Sequence, residues 1–498
     1  MKLLSLRICE HDANFTYFDG NTVEYYKSER QYQEKHHALT LDTWQDEIQK
    51  VWNITSKDLD EIAIIFDPWH HGYEKVKENF FPCIENYKNF KADTKVTRLN
   101  HHYAHALSYW PITNTIPTIS FVLDGFGDFD KAWSIFKDGK LIEEGSHEFH
   151  GSIGTEMAQA GKICGIKCNH GIDIAGKLMG LQSYGIIDLE YKKQLTQYSI
   201  YDVLKIFNLQ NWNNYKGNNL VGNLSQLDWI ATVHDYIGDL LVDFFRKYCN
   251  TDDVIHYSGG VAQNVIWNTK LKKNFPNLII APHCADEGLS LGGMEYLRQK
   301  HNINKLTLEN FPYKQKDQSA ITFPSNKTID EVADMLANGK TVGWYQGHGE
   351  IGPRALGNRS ILFNPTIPNG KNIINKIKKR ETYRPFGASI LKEHANEYFI
   401  DLPENPYMLY VGKVKDKNLE SVIHIDNTCR AQTVDNTNPI FRKLLEKFYE
   451  KTGVPVLLNT SLNINGKPIC GTVAEAKELF DTSELDVLVV GDEYAEKV

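Results

Sequence analysis

The chain of 498 residues lacks any long hydrophobic run. No stretch approaches the ~18 apolar residues that are needed to span a bilayer. The N-terminus, MKLLSLRICEHDANF, has too short an apolar run for a signal peptide, because His11 and Asp12 interrupt it. We therefore expect a soluble, cytoplasmic protein with no membrane partner.

The sequence has few cysteines and no excess of positive charge. Only Cys164 and Cys168 lie close together among the eight cysteines. A zinc knuckle needs a second such pair, so we expect reduced, mostly buried thiols. The 55 basic and 63 acidic residues give a formal net charge of -8, which argues against binding duplex nucleic acid. A local cluster of donors would still suffice for a small anion.

What the sequence does contain is typical of a globular α/β protein of two or three domains. Two strands, within residues 3–8 and 117–123, are each followed by a hairpin, centred on Asp19-Gly20 and Asp138-Gly139. Their recurrence indicates an internal duplication. Two such halves around a nucleotide are the plan of the actin, sugar-kinase and heat-shock ATPase superfold, an analogy at the level of fold alone.

Later segments continue the α/β pattern. Residues 152 to 250 are predicted to be mainly helical, with a long amphipathic helix in 227–249. The polar stretch 301–326 is predicted to be a linker, and a second α/β domain follows it, closed by the strand LDVLVVGD. We predict a transfer domain over residues 1-310 and a smaller domain over residues 325-498.

A histidine pair is the first candidate site. Asn100 can cap a helix that places His101 and His105 one turn apart on one face. That spacing suits a shared metal ion, although a lone pair of this kind is more often part of a core or cleft wall. Asp286, after a buried strand, supplies a third ligand and favours iron, another divalent transition metal or zinc.

Glycine turns at strand ends form the second candidate. Asp124-Gly125-Phe126-Gly127-Asp128 follows one strand, and Ser258-Gly259-Gly260 follows another and opens a helix. Such turns let the backbone approach phosphate oxygens or a ribose, but a tight turn alone explains either one. Together with the histidine pair, they favour a nucleotide site.

The second predicted domain is rich in hydrogen-bond donors. Arg354, Arg384 and Arg430 lie among glycine, proline and apolar residues, where a guanidinium fits phosphate or carboxylate. The loop around Asn459 and Ser461 can bind phosphate or a carbamoyl amide. This part of the chain has further basic residues, among them Arg359, Lys378 and Arg380. We interpret Lys376 and Lys379 as a solvated helix face.

These motifs, in this order, resemble those of the NodU/CmcH O-carbamoyltransferases over the whole chain. The matching blocks are HHYAHA, LDGFGD, GKLMGLQSYG, SGGVAQN, ADEGLSLGG, GEIGPRALGNRSIL, KKRETYRPF and GVPVLLNTSLNINGKPI. The resemblance implies an N-terminal domain like the tRNA threonylcarbamoyl-transferring metalloproteins and a YrdC-like C-terminal domain. It also implies that carbamoyl phosphate and ATP, with Mg, form carbamoyl-adenylate, and that a hydroxyl of the acceptor then attacks it.

The resemblance assigns roles to individual residues. It makes His101, His105 and Asp286 the ligands of a divalent metal, with iron the first candidate, and places His11 and Lys177 near the transferred group. The residues expected to bind the adenylate or line the activation site are Asp124, Gly125, Gly127, Gly259, Gly260, Asn264, Arg354, Arg384, Arg430, Asn459 and Ser461.

The acceptor is where the sequence departs from the family. The chain has Asp130-Lys131-Ala132-Trp133 where a threonine pair is usual, and its stretch Cys164 to Asp173 is also unusual. The content of Lys, Asn and Ile is typical of an AT-rich, viral genome, and aromatic rings can stack on a base. We therefore predict a hydroxymethyl-pyrimidine nucleotide of the 5-hydroxymethyl-dCMP type, and a saccharide or antibiotic hydroxyl is the rival acceptor. A metabolite kinase and a tRNA-modification protein are the competing functions, and a homodimer is the expected assembly.

Overall fold

A computed structural model describes residues 1–66, 82–146, 152–197, 223–316, 319 and 321–497. The predicted helical region between 152 and 250 therefore falls partly outside the described residues, at 198–222. Within the described parts the chain is a mixed α/β protein with three sheets.

The first sheet is built around β1, whose five residues are all buried. β1 pairs antiparallel with β2 and parallel with β4, in the strand order β3-β2-β1-β4-β6-β5. The hairpin predicted at Asp19-Gly20 joins β2 to β3 and is confirmed. The elements are β1 Leu3–Arg7, β2 Asn14–Phe18, β3 Val23–Lys27, α1 Ser28–Tyr32, α2 Trp44–Trp52, β4 Glu61–Ile65, β5 Cys83–Ile84, β6 Lys95–Leu99 and α3 His101–Leu107.

The second sheet repeats this plan. β7 pairs antiparallel with β8 and parallel with β10, in the order β11-β10-β7-β8-β9, so β7 takes the place that β1 holds in the first sheet. The two sheets therefore share one strand pattern, in the two regions where the sequence predicts a repeated unit. The elements are β7 Ile119–Leu123, β8 Trp133–Lys137, β9 Lys140–Gly145, α4 Ile153–Ile163, α5 Asp173–Leu181, α6 Leu189–Leu195, α7 Gln226–Arg246, β10 Ile255–Ser258, α8 Val265–Asn274, β11 Leu278–Ile279 and α9 Leu289–Lys300.

The third sheet is larger and has the order β15-β16-β17-β14-β18-β13-β12-β19-β20. The strand LDVLVVGD does not close the fold as its sequence predicts, because β20 follows it and pairs with it antiparallel. The elements are α10 Asn326–Ala337, β12 Val342–Tyr345, β13 Arg359–Phe363, α11 Gly370–Lys378, β14 Gly387–Leu391, α12 Ala395–Tyr398, β15 Phe399–Ile400, β16 Gly412–Val414, β17 Thr428–Val434, α13 Pro439–Thr452, β18 Val456–Ser461, α14 Val473–Thr482, β19 Val487–Val490 and β20 Glu493–Glu496.

Helices cover the sheets with their apolar faces, as the sequence periodicity predicts. The long helix α7 buries Trp229, Ile237 and Phe245, and the ring of Phe245 stacks on Phe121 of β7 with centroids 3.8 Å apart. On the third sheet, α10 and α13 share one core with β12 and β19. In the described part of the chain, no helix is both long and apolar enough to cross a membrane.

Candidate functional site

The histidine pair lies on α3, which begins at the end of β6. The Asn100 side chain accepts a hydrogen bond from the Tyr103 amide, so the predicted cap is confirmed. His101 and His105 are one turn apart on the buried side of the helix, with ring centroids 5.0 Å apart. The cap and the buried face together aim both Nε2 atoms at the ends of neighbouring strands.

Two carboxylates meet these imidazoles. Asp124 follows β7, and its Oδ2 lies 3.0 Å from His101 Nε2 and 3.1 Å from His105 Nε2. Asp286 precedes α9, and its Oδ1 lies 3.3 Å from both Nε2 atoms. Four buried atoms that could ligate a metal, two imidazole nitrogens and two carboxylate oxygens, therefore lie within 4.8 Å of one another. They come from three separate segments of the chain. We refer to His101, His105, Asp124 and Asp286 as the four-ligand cluster.

The electrostatics of the four-ligand cluster fit a divalent cation. Burial alone would lower the pKa of His101, but the facing carboxylates of Asp286 and Asp124 raise it to about 10. Burial and Asp286 raise the pKa of Asp124, but hydrogen bonds from His101 and His105 outweigh them and hold it below its usual range. Two imidazoles and two carboxylates suit iron, zinc or a related ion. Asp124, predicted to bind the adenylate, thus belongs to the set that would hold the metal.

The glycine turns bring backbone close to this cluster. Gly259 has φ of 93°, and a Cβ there would lie 2.1 Å from the carbonyl oxygen of Leu123, so no other residue fits between β7 and β10. The amide of Gly260 donates to Asp124 Oδ1 at 2.8 Å. At Gly127 a Cβ would meet the His102 ring at 2.5 Å. These contacts give the glycines a steric role in fixing the cluster.

A second group of side chains, from the third sheet, is basic. Arg354 and Arg430 are half-buried, and neither forms an ion pair with a carboxylate in the part of the chain that the structure describes. Burial and then the neighbouring guanidinium of Arg354 lower the pKa of Arg430 far below its usual range. Burial lowers the pKa of Arg380 to about 9. Desolvated cations without counter-ions are unfavourable, and a bound anion would balance them.

Lys378 completes the basic group from the last turn of α11. It is buried, and its Nζ donates to the backbone carbonyls of Ser461 and Asn463 and, at 3.1 Å, to the Ser461 hydroxyl. Burial lowers its pKa well below the usual value. The Asn459 amide is held by Ser389 Oγ at 2.9 Å. We refer to Arg354, Lys378, Arg380, Arg384 and Arg430 as the basic group.

One cavity of about 1160 Å³ joins the four-ligand cluster to the basic group. Of the residues to which the resemblance assigns a role, His105 and Gly259 do not line it. Those that line it are His11, His101, Asp124, Gly125, Gly127, Lys177, Gly260, Asn264, Asp286, Arg354, Arg384, Arg430, Asn459 and Ser461.

Several predicted residues have structural tasks as well. Lys177 of α5 forms an ion pair with Glu381 at 2.7 Å, which links the second sheet's helices to the basic group. The Asn264 side chain caps α8 and contacts His234 Nε2 at 2.9 Å. Arg359, buried over the Tyr345 ring, donates to backbone carbonyls and does not line the cavity.

Sequence reasoning missed a network beside the four-ligand cluster. His11 Nδ1 lies 2.9 Å from Asp12 Oδ2, and the same oxygen lies 2.8 Å from His36 Nδ1. Lys27, buried at the end of β3, pairs with Asp12 Oδ1 at 3.0 Å. The His-Asp pair in ICEHDANF is visible in the sequence, but no local pattern connects it to His36.

Comparison with known proteins agrees with this architecture. The model of the carbamoyltransferase N-terminus matches residues 83–294, and that of the carbamoyltransferase C-terminus matches residues 333–497. The nodulation protein NolO of Bradyrhizobium diazoefficiens is 31% identical over 439 residues, covering 79% of this chain and 78% of that protein. The chain therefore belongs to the carbamoyltransferase family, as its motifs predicted.

A second named relative matches over a shorter part of the chain. The 3'-hydroxymethylcephem-O-carbamoyltransferase of Amycolatopsis lactamdurans is 32% identical over 277 residues, which is 54% of this chain and 53% of that one. Among solved structures, the activator of the 2-hydroxyisocaproyl-CoA dehydratase from Clostridium difficile with bound ADPNP covers 62% of this chain and 100% of its own, with 12% identity. Its TM-score of 0.36 is too low for any conclusion about fold or ligand.

Proposed function

We propose that the protein is an ATP-dependent O-carbamoyltransferase that works in two steps within one cavity. Carbamoyl phosphate, ATP and one water give carbamoyl-adenylate, pyrophosphate and phosphate. The acceptor hydroxyl then attacks the carbamoyl carbon and releases AMP. The observation that carries this proposal is the continuity of the cavity between the basic group and the four-ligand cluster.

The basic group supports the first step. Its half-buried cations at Arg354 and Arg430, which form no ion pair with a described carboxylate, suit the phosphates of ATP and carbamoyl phosphate. Lys378 lies at the same wall and adds positive charge there, while its hydrogen bonds hold the Ser461 segment in place. Preorganised donors of this kind stabilise the charge that develops when pyrophosphate leaves. We assign this step to a YrdC-like C-terminal domain.

The four-ligand cluster supports the second step. When it holds a divalent ion, with iron the first candidate, the ion supplies Lewis acidity toward a phosphoryl or carbonyl oxygen. The glycine turns at Gly125 and Gly260 line the cavity beside the cluster and present backbone that can approach an adenylate. His11 lies beside the cluster, with Nε2 3.8 Å from Asp286 Oδ2, and its side chain is 35% exposed where an acceptor and the carbamoyl group would meet.

For the acceptor we propose a hydroxymethyl-pyrimidine nucleotide. Phe126, at the tip of the first glycine turn, lines the cavity and is 48% exposed, so its ring face is free to stack on a base. A saccharide hydroxyl is the rival acceptor, because exposed aromatic rings also pack against sugars. The net charge of -8 favours a mononucleotide over a nucleic-acid polymer such as tRNA.

Product analysis tests the reaction. With ATP, carbamoyl phosphate and an acceptor, we expect AMP, pyrophosphate and phosphate, and an acceptor whose mass has increased by one carbamoyl group. A metabolite kinase would release ADP and phosphorylate the acceptor, and that result would refute the proposal. A panel of hydroxymethylated nucleotides and sugars tests the acceptor, since transfer to sugars alone would refute the nucleotide while leaving carbamoyl transfer intact.

A further inference from the structure

Three side chains outside the four-ligand cluster also direct their metal-binding atoms at one point. Asp12 Oδ2 lies 2.9 Å from His11 Nδ1 and 2.8 Å from His36 Nδ1. The three atoms lie within 4.8 Å of one another. His11 and Asp12 come from the loop after β1, and His36 from the segment after α1, so the convergence is tertiary rather than local.

The outer nitrogens of the two imidazoles also face carboxylates. His11 Nε2 lies 3.8 Å from Asp286 Oδ2, and His36 Nε2 lies 3.5 Å from Asp173 Oδ1. A neutral imidazole has a single N–H and cannot donate toward carboxylates on both sides. A second positive species at one ring nitrogen, either a proton or a metal ion, would balance the carboxylates on both sides of each ring.

We propose that His11, Asp12 and His36 form a second site for a divalent transition-metal ion, separate from the four-ligand cluster. Two imidazole nitrogens and one carboxylate oxygen are a set that zinc, cobalt, iron and manganese accept, with open positions for water or substrate. With metal on the Nδ1 atoms, each ring is neutral, and its Nε2–H points toward Asp286 or Asp173. This is the usual arrangement of metal-bound histidines, whose free N–H is held by a carboxylate.

The surrounding charge is compatible with a cation. Lys27 contacts the other oxygen of Asp12, at 3.0 Å, and its charge is shared with Glu29 at 3.2 Å. Oδ2 of Asp12 is thus left to face the two imidazoles. The ion pair between Lys27 and Oδ1 fixes the orientation of that carboxylate.

The backbone holds this arrangement in advance of any ligand. The Cys9 amide donates to the Leu39 carbonyl at 2.7 Å, and the Ala13 amide donates to the His37 carbonyl at 3.0 Å. Asp12 and His36 both adopt left-handed backbone conformations, with φ of 55° and 56°. Non-glycine residues in this region are strained, and such strain is typically retained at functional sites.

Cobalt binding tests the proposal without any substrate. Metal-free full-length protein is dialysed against Co²⁺, and bound metal is counted by elemental analysis and followed by the visible spectrum of Co²⁺. We expect two ions per chain in the wild type and one in H36Q, which keeps a polar side chain at that position. H105Q should also bind one ion, and the double variant should bind none.

A matched control and a second variant keep the result interpretable. His170 packs edge-on against His36, with centroids 5.3 Å apart, but is not a ligand, so H170A should still bind two ions. D12N should lose the same ion as H36Q, and a normal thermal melt shows that each variant is folded. Two ions in H36Q, or a single wild-type ion that only H105Q loses, would overturn the proposal. Because binding is read without ATP or acceptor, failure of carbamoyl transfer leaves this test unaffected.

Discussion

The four-ligand cluster and the basic group line the same cavity, yet they meet opposite electrostatic demands. At the cluster, carboxylates outnumber fixed cations, and two imidazoles take on charge to match them. At the basic group, buried Lys378 and half-buried Arg354 and Arg430 form no ion pair with a described carboxylate, and their pKa values are depressed. The four-ligand cluster therefore favours a bound cation, and the basic group favours a bound anion. A substitution at one end should therefore weaken binding of the ligand at that end and leave binding at the other end unchanged.

The sharpest test removes a cluster ligand. In H105A, we expect carbamoyl transfer to fall at least about 100-fold, because a direct metal ligand is lost. Carbamoyl-adenylate formation, measured as pyrophosphate exchange into ATP, should be unchanged, because His105 does not line the cavity at the basic group. Loss of pyrophosphate exchange in H105A would show that the two ends do not work independently.

The converse test removes a guanidinium from the basic group. In R430A, we expect adenylate formation to fall on the order of 100-fold, because a preorganised donor to the phosphates is gone. Metal content should equal that of the wild type, since Arg430 contacts no cluster ligand. A metal-depleted R430A with normal adenylate formation would reverse the assignment of the two ends.

Two lysines of α11 provide a matched pair. Lys378 is buried on the Ser461 loop, whereas Lys376 is solvent-exposed, and both lie in the last turn. We expect K378A to lower adenylate formation roughly 10- to 100-fold, the value of hydrogen bonds from a buried charge. K376A should stay within about twofold of the wild type. Equal effects of the two substitutions would mean that the basic group acts through general surface charge.

The smallest expected effect concerns pH. The folded-state pKa of His101, about 10, exceeds its ordinary 6.5, so the imidazolium stabilises the metal-free protein fully below pH 6.5. This contribution is lost as pH rises from 6.5 toward 10, so the melting temperature of chelator-treated protein should fall by a few °C over that window. Metal-loaded protein should show a shallower slope, and so should metal-free H101Q. A rising melting temperature of the metal-free protein would contradict the electrostatic account.

The features that the sequence predicted correctly are turns, caps and residue spacings that depend on local chemistry. The hairpins at Asp19-Gly20 and Asp138-Gly139, the cap at Asn100 and the spacing of His101 and His105 each depend on a few adjacent residues. Asp286 is predictable because ligands gather at strand ends.

What depends on tertiary packing was not predictable. Lys376, Lys378 and Lys379 look alike in the sequence, and only the packing of α11 against the Ser461 loop buries Lys378. His36 reaches Asp12 across 24 positions through a backbone contact that no periodicity encodes. The place of Asp124 in the four-ligand cluster was hidden because its glycine turn equally suits a nucleotide.

The size of the shared cavity has a kinetic consequence. A single molecule confined to about 1160 Å³ corresponds to a concentration on the order of 1 M. On the proposed function, an adenylate made beside Arg430 therefore meets a bound acceptor long before it meets a competitor present at millimolar concentration outside. The fraction of adenylate that reacts with the acceptor, rather than escaping into solvent, then depends on how long the cavity retains it. A substitution that widens the opening should raise hydrolysis of the adenylate without slowing either chemical step.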